Sequence, residues 1–288
     1  MSGLKETARA KVNLTLKVLG RRADGFHQIE SLVAFASDGD RLEFAPGDKL
    51  ELSIEGAFGD KLQGDNLVLQ AARLLGQRTP GIPAGTFRLV KRLPVAAGVG
   101  GGSADAAAAL RLMQRASQTV VSTTDMSAVA EALGSDVPVC LLSRAALMRG
   151  RGEDVSPVDA MPALPAVLAN PGAELGAGEV YAALDVAPVA NHSESSPGTP
   201  PSFDTSEQLV ELVRSVGNDL ADAAIGLAPV IGEVRAELAA TDGCLVAEMS
   251  GSGSTCFGIY GSVEEAQKAA SNLTERHPDW WIISTELV

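Results

Sequence analysis

The chain has 288 residues, 45% of them hydrophobic but only 4% aromatic, and a formal net charge of −13. That length supports one large or two medium domains around an aliphatic core. The acidic balance excludes broad nucleic-acid binding, since no basic surface replaces phosphate counterions, and no apolar run is long enough to span a bilayer. The first residues carry no apolar signal core, so a soluble cytoplasmic protein is expected. Cys140, Cys244 and Cys256 are widely spaced and read as buried, reduced thiols. His27, His192 and His277 are too scattered for a zinc site.

Taken in order, Val12, Leu14, Leu16 and Val18 alternate with polar residues, a strand pattern that ends at Gly20. Two further alternating segments, 41–44 and 50–54, flank the turn signal Pro46-Gly47-Asp48. Residues 66–77 place Leu67, Ala71, Leu74 and Leu75 on one helical face, with Asp65 as the expected N-cap. Segment 86–90 is a strand. It leads into Pro94-Val95-Ala96-Ala97-Gly98-Val99-Gly100-Gly101-Gly102-Ser103-Ala104-Asp105, followed by an alanine-rich helix. A helix over about 126–133 stops at Gly134, and 139–142 is expected to be a strand.

In the second half, 166–170 reads as a buried strand ended by Pro171-Gly172. Residues 186–205 are rich in Pro, Ser and Gly and read as a mobile surface loop, with His192 solvated inside it. Helical patterns cover 206–216 and 219–241. The strand 245–249, a tight turn over 250–255 and the strand 256–260 follow. Ser262 and Glu265 form a capping box that opens a helix to about Arg276, and 280–283 closes as a strand. These elements make an α+β protein with two lobes, divided near 157–165.

The glycine run lets backbone N–H groups converge on one anion at the positive end of a helix, which suits a phosphate. It is not a P-loop, because no Gly-Lys-Ser/Thr closes it, and its glycine spacing differs from the dinucleotide fingerprint. Three other constellations stand beside it: Ala10-Lys11-Val12-Asn13-Leu14, Arg22-Ala23-Asp24-Gly25-Phe26-His27 and Leu133-Gly134-Ser135-Asp136-Val137-Pro138. The turn Ser250-Gly251-Ser252-Gly253-Ser254-Thr255 completes the set.

In this order and spacing the segments resemble the GHMP kinases, named for galactose, homoserine, mevalonate and phosphomevalonate members. That family has a Pro-x-x-x-Gly-Leu-Gly-Ser-Ser-Ser-Ala phosphate loop and a late glycine-rich motif. The resemblance runs from about residue 8 to 260 and is strongest over the first half. Within the family the chain is most similar to the branch whose alcohol acceptor carries a cytidine diphosphate. Two departures are Phe26, where Tyr often precedes the His, and Val99 in place of the usual Leu.

The resemblance implies a two-lobed α+β fold. An N-terminal ATP-binding lobe similar to ribosomal protein S5 domain 2 spans 1–158, and a C-terminal ferredoxin-like α/β lobe spans 159–288. It implies ATP and Mg²⁺ as cofactors; no side chain stands out as an ion ligand, so the ion is expected to be held mainly by phosphates and water, with Ser103 as the candidate protein contact. Lys11 and Asp136 are then the catalytic pair. Asn66, Leu67 and Lys91 lie near adenine, while Pro94, Gly98, Gly100, Gly101, Gly102, Ser103 and Ala104 hold the triphosphate. The acceptor side comprises Asn13, Phe26, His27, Tyr181, Gly251, Ser252 and Gly253. Phe26 and Tyr181 are expected as stacking faces for cytosine and His27 as the reader of its edge, with core packing as the other reading of Tyr181. The alternatives are a kinase of another small alcohol and a non-catalytic nucleotide-binding protein. The Phe26-His27 pair argues against the first, and the presence of both Lys11 and Asp136 against the second.

Overall fold

The computed structural model describes residues 3–62, 65–184, 186–188 and 202–288. The strands in chain order are β1 (Leu4–Asn13), β2 (Lys17–Arg21), β3 (His27–Pro46), β4 (Glu51–Glu55), β5 (Gly85–Val90), β6 (Ala146–Gly150), β7 (Asp154–Pro157), β8 (Leu164–Asn170), β9 (Cys244–Met249), β10 (Cys256–Tyr260) and β11 (Trp281–Leu287). The helices are α1 (Leu67–Arg78), α2 (Gly101–Ala116), α3 (Thr123–Leu133), α4 (Val137–Leu142), α5 (Ala177–Ala183), α6 (Ser206–Val216), α7 (Ala221–Leu227), α8 (Val230–Ala239) and α9 (Val263–Arg276). Two compact units result, and neither is continuous in sequence. One contains residues 3–10, Asp38–Val95 and Gly100–Ser143; the other contains Lys11–Ser37, Ala96–Val99 and the chain from Arg144 onward.

In the first unit, β5 pairs antiparallel with the end of β3 (Arg41 opposite Val90) and parallel with β4. Phe44 and Phe87 stack across that ladder at 4.5 Å. Helix α2 packs against α1 and α4. Its run Ala106–Ala107–Ala108–Ala109 is fully buried, because small side chains let neighbouring helices approach closely.

In the second unit, β8, β9, β10, α9 and β11 follow one another with α8 before β9, a β-α-β-β-α-β order. The antiparallel sheet runs β11-β8-β10-β9, with α8 and α9 packed on it, which is the ferredoxin-like arrangement the resemblance implies. Val167, Ala169, Ile231, Val234, Leu238, Ala266 and Leu273 build its core. Strands β2 and β6 pair with the first half of β3.

Several expectations change. Residues 139–142 lie in α4 and not in a strand; a four-residue apolar run has no period of its own, and Pro138 in the first turn favours a helix start. The cap of α1 is Asn66, whose side chain accepts from the Val68 N–H at 2.8 Å, while Asp65 pairs with Arg73. The helical pattern over 219–241 breaks into α7 and α8 at Ala228-Pro229, where proline cannot continue the ladder. The alternation over 12–18 is interrupted after Asn13, where the Leu14 and Thr15 N–H groups both reach the Leu32 carbonyl. Cys140 and Cys256 are buried, but Cys244 is partly exposed. Residues 189–201 of the Pro/Ser-rich segment, His192 among them, lie outside the described residues.

The cap assignment has a direct test. Asn66→Ala should cost about 1 kcal/mol in a urea denaturation series, the usual loss for an N-cap, whereas Asp65→Ala should change stability by less than about half of that.

Candidate active site

The glycine run is anchored from both sides. In the second unit, residues 96–99 are stitched to the end of β1 and to the turn after β9. The Lys11 N–H donates to the Val99 carbonyl at 2.9 Å, the Thr255 N–H to the Ala97 carbonyl at 3.1 Å, and the Ser250 hydroxyl to the Gly98 carbonyl at 3.0 Å. Gly98 has φ +73°, and a Cβ there would lie 2.4 Å from the Ser250 carbonyl oxygen. No other residue fits. Pro94 and Val95 lead into this segment from the first unit.

The chain enters α2 at Gly100, an N-cap with φ +62° and no side-chain cap, and the first helical bond is Ala104 N–H to the Gly100 carbonyl at 2.9 Å. The N–H groups of Gly101, Gly102 and Ser103 therefore precede any intrahelical acceptor and present donors at the positive end of the helix dipole. Leu67 approaches this turn, with Cδ1 3.5 Å from where a Gly102 Cβ would sit.

Behind the loop lies a buried charge cluster. The Lys91 ammonium bonds Asp40 and, at 2.7 Å, Asp105 in the first turns of α2. Asp40 also accepts from the Arg92 and Leu93 N–H groups at 2.5 and 2.9 Å. Burial pulls the Lys91 ammonium down, but the attraction of Asp105 and Asp40 outweighs it, so the group stays charged. Burial, with the charge on Asp40 adding to it against the pull of Lys91, raises Asp105 from 3.8 to about 7. One proton on Asp105 leaves the cluster neutral, the cheap state for buried charges. The ammonium of Lys91, expected near adenine, is thus committed to the two carboxylates. The Gly101 Cα–H points the same way: a Cβ there would lie 3.0 Å from Lys91 Nζ.

Asn13 faces the second glycine turn. Its N–H donates to Ser250 Oγ at 3.0 Å, and its Nδ2 donates to Ser31 Oγ at 2.7 Å. Ser31 in turn donates to the Thr15 carbonyl, which fixes the amide orientation and leaves Asn13 Oδ1 as the acceptor. That oxygen is buried, has no hydrogen-bond partner, and lies 3.2 Å from where a Gly251 Cβ would sit. Lys11, two residues earlier on β1, is buried as well. Asp136 is the N-cap residue of α4, and its carbonyl accepts the Cys140 N–H at 3.1 Å.

The aromatic residues group differently from expectation. Tyr181, on α5, stacks on His27 at 4.8 Å, so its ring backs the imidazole and is not an opposite wall to Phe26. Phe26 is 51% exposed, and the Arg151 guanidinium lies 4.9 Å over its ring. Burial first, and the charge on Arg21 second, lower the His27 pKa, so the ring is neutral at pH 7 and offers one donor and one acceptor. Reading the sequence missed Arg151, Asp40, Asp105 and Ser31. Only Asp105 carried a signal, standing at the end of the glycine run.

Residues 66–144 match the family GHMP kinases N terminal domain, and 205–279 match GHMP kinases C terminal. The 4-diphosphocytidyl-2-C-methyl-D-erythritol kinase of Parvibaculum lavamentivorans is 49% identical over 98% of each chain. The enzyme of that name from Methylobacterium radiotolerans is 46% identical over the whole of both. The chain belongs to the GHMP kinase family. A crystal structure of 4-(cytidine 5'-diphospho)-2C-methyl-D-erythritol kinase superposes with a TM-score of 0.79 at 34% identity, covering 99% of each chain. A homoserine kinase from Cytophaga hutchinsonii shares the fold, at a TM-score of 0.70 and 19% identity over 100% of this chain and 98% of the other. Among the described residues no cluster of His, Cys, Asp or Glu forms a metal site, and no helix is long and apolar enough to cross a membrane.

The GHMP glycine loop thus rests on a cluster whose charge depends on pH. Because the folded-state value for Asp105 lies above its ordinary one, this group's stabilising contribution is complete below about pH 4 and is lost as pH rises through about 7. Asp105→Asn should remove that loss. In melting curves at about pH 5 and about pH 8, the variant should gain on the wild type at the higher pH. Lys91→Met, which strands two buried carboxylates, should cost about 3–5 kcal/mol at pH 8.

Proposed function

We infer that the chain is an ATP-dependent kinase that transfers the γ-phosphoryl group of ATP to the 2-hydroxyl of 4-diphosphocytidyl-2-C-methyl-D-erythritol, a step of the non-mevalonate route to isoprenoid precursors. The name shared by its full-length relatives supports the substrate. The observation that carries the alcohol chemistry is the buried, unpartnered Asn13 Oδ1 over the Gly251 turn. An amide oxygen in that position calls for a donor, and a hydroxyl supplies one.

In the proposed reaction the hydroxyl oxygen bonds to the γ-phosphorus as the bond to the β–γ bridging oxygen breaks and ADP leaves. Asp136 receives the hydroxyl proton, and Lys11 stabilises the developing alkoxide. The N–H groups at the start of α2 hold the phosphates, Asn66 and Leu67 flank adenine, and Gly251, Ser252 and Gly253 face the transferred group. The protein offers few hard-oxygen ligands here, since Asp40 and Asp105 are taken by Lys91. That fits Mg²⁺, which keeps phosphate and water ligands, with Ser103 as the protein contact. When bound, the ion neutralises charge on the phosphate oxygens. His27, backed by Tyr181, reads the cytosine edge, and Phe26 stacks on the base.

Asp136→Asn should keep ATP affinity by calorimetry and lose on the order of 10²–10⁴ in kcat. Lys11→Met should lose kcat similarly, because its charge is needed only in the transition state. Near-normal turnover in either folded variant removes that residue from its role.

Phe26→Ala should weaken the cytidine substrate by about 1–3 kcal/mol and leave ATP binding unchanged. His27→Ala should erode the preference for cytidine over uridine forms, measured as the ratio of kcat/KM values. An untouched ratio moves base reading elsewhere.

A further inference from the structure

We propose that Asn218 is a positioning residue for phosphoryl transfer, aiming the backbone of the Ser250–Gly253 turn; this rests on the reading that the turn faces the transferred group. Asn218 lies between α6 and α7, in a stretch that the sequence marks only as a break between helical patterns. Its Nδ2 donates to the carbonyl of Met249, at the end of β9, and to that of Gly251 in the turn, both at 2.8 Å. Its Oδ1 accepts the Leu220 N–H at 2.9 Å, so all its polar atoms are used and the amide has one orientation.

The consequence lies in the planar trans peptide. Carbonyl and N–H of one peptide unit point in opposite directions. Holding the Gly251 carbonyl toward Asn218 therefore turns the Ser252 N–H away from it. Gly251 has φ +58° and Gly253 φ +82°, so the turn winds through left-handed conformations with little side-chain packing of its own. Its shape has to come from outside. The Gly253 N–H to Ser250 carbonyl bond, at 3.0 Å, closes it internally; from outside, Asn13 and Gly98 hold the Ser250 hydroxyl, and Asn218 holds the Gly251 carbonyl.

Asn218 is itself clamped to the strand segment that follows Lys11 and Asn13. The Leu16 N–H donates to the Gly217 carbonyl and the Asp219 N–H to the Leu16 carbonyl, both at 2.9 Å. Asp219 accepts from Lys17 Nζ and from the Val18 N–H, again at 2.9 Å. Asn13 meets the same turn through Ser250. One short stretch, 217–220, thus holds the strand bearing two proposed active-site residues in register with the turn.

The test compares Asn218→Asp, Asn218→Ser and Gly251→Ala. Asp is nearly isosteric with Asn but aims an oxygen at two carbonyls, and Ser retains one donor on a shorter arm. Active protein is counted by ATP-binding stoichiometry in calorimetry. Per active molecule, Asn218→Asp should lose about 10²-fold in kcat with KM for ATP and for the alcohol unchanged, as sub-ångström misplacement of reacting groups does. Asn218→Ser should fall between it and the wild type. Wild-type kcat in Asn218→Asp, or a loss wholly accounted for by lower binding stoichiometry, overturns the positioning role. Gly251→Ala separates the two levels: its Cβ would lie 2.9 Å from the Gly98 carbonyl oxygen. If it loses kcat while Asn218→Asp does not, the turn reading stands and the role of Asn218 fails. If Gly251→Ala keeps full turnover, the turn is not at the transferred group and both fail.

Discussion

The contact between the Gly98 backbone and the Ser250–Gly253 turn fixes the second unit's share of the residues proposed for phosphate chemistry. Two glycine-rich segments, distant in sequence, come so close that a single Cβ at Gly98 would overlap a carbonyl oxygen. The Ser250 hydroxyl bridges them, accepting from the Asn13 N–H and donating to the Gly98 carbonyl. Because the Lys11 N–H holds the neighbouring Val99 carbonyl, the end of β1, residues 98–99 and the late turn share one hydrogen-bonded framework.

The cluster of Lys91, Asp40 and Asp105 performs a second, separate task. It ties the residues that follow β5 to Asp40 of β3 and to the first turns of α2, the two flanks of the glycine run. A hydrophobic contact of the same volume would be at least as stabilising, but it would not set orientation. Here Asp40 also takes two backbone N–H groups, so the charges specify a backbone path as well as a contact. The cost is a buried carboxylate that holds its proton to about pH 7.

The group of Phe26, His27, Tyr181 and Arg151 shows how aromatic and charged side chains divide their contacts. Tyr181 stacks on His27, whose imidazole is kept neutral by burial and the Arg21 charge, while Arg151 lies over the ring of a half-exposed Phe26. A mostly acidic chain can therefore present a local cationic edge beside an aromatic one. Net charge describes the surface as a whole and says little about a site.

The local patterns were legible wherever physics is local. The alternating strand at 41–44, the apolar strands at 166–170 and 256–260, the Ser262 side-chain cap on the Glu265 N–H and the glycine run opening α2 all follow from residue type and spacing, since backbone sterics and capping act over a few residues. The family followed from the order of those motifs. What the sequence left open was decided by distant partners. The apolar run 139–142, with no period of its own, lies in α4 packed against α2, and Tyr181 finds His27 only when α5 is folded. Asp40 and Lys91 become a cluster across a gap of 51 residues, and Asn218 reaches a turn 31 and 33 residues away. Such pairings depend on tertiary geometry, because a buried amide or carboxylate is indistinguishable in sequence from one that faces water.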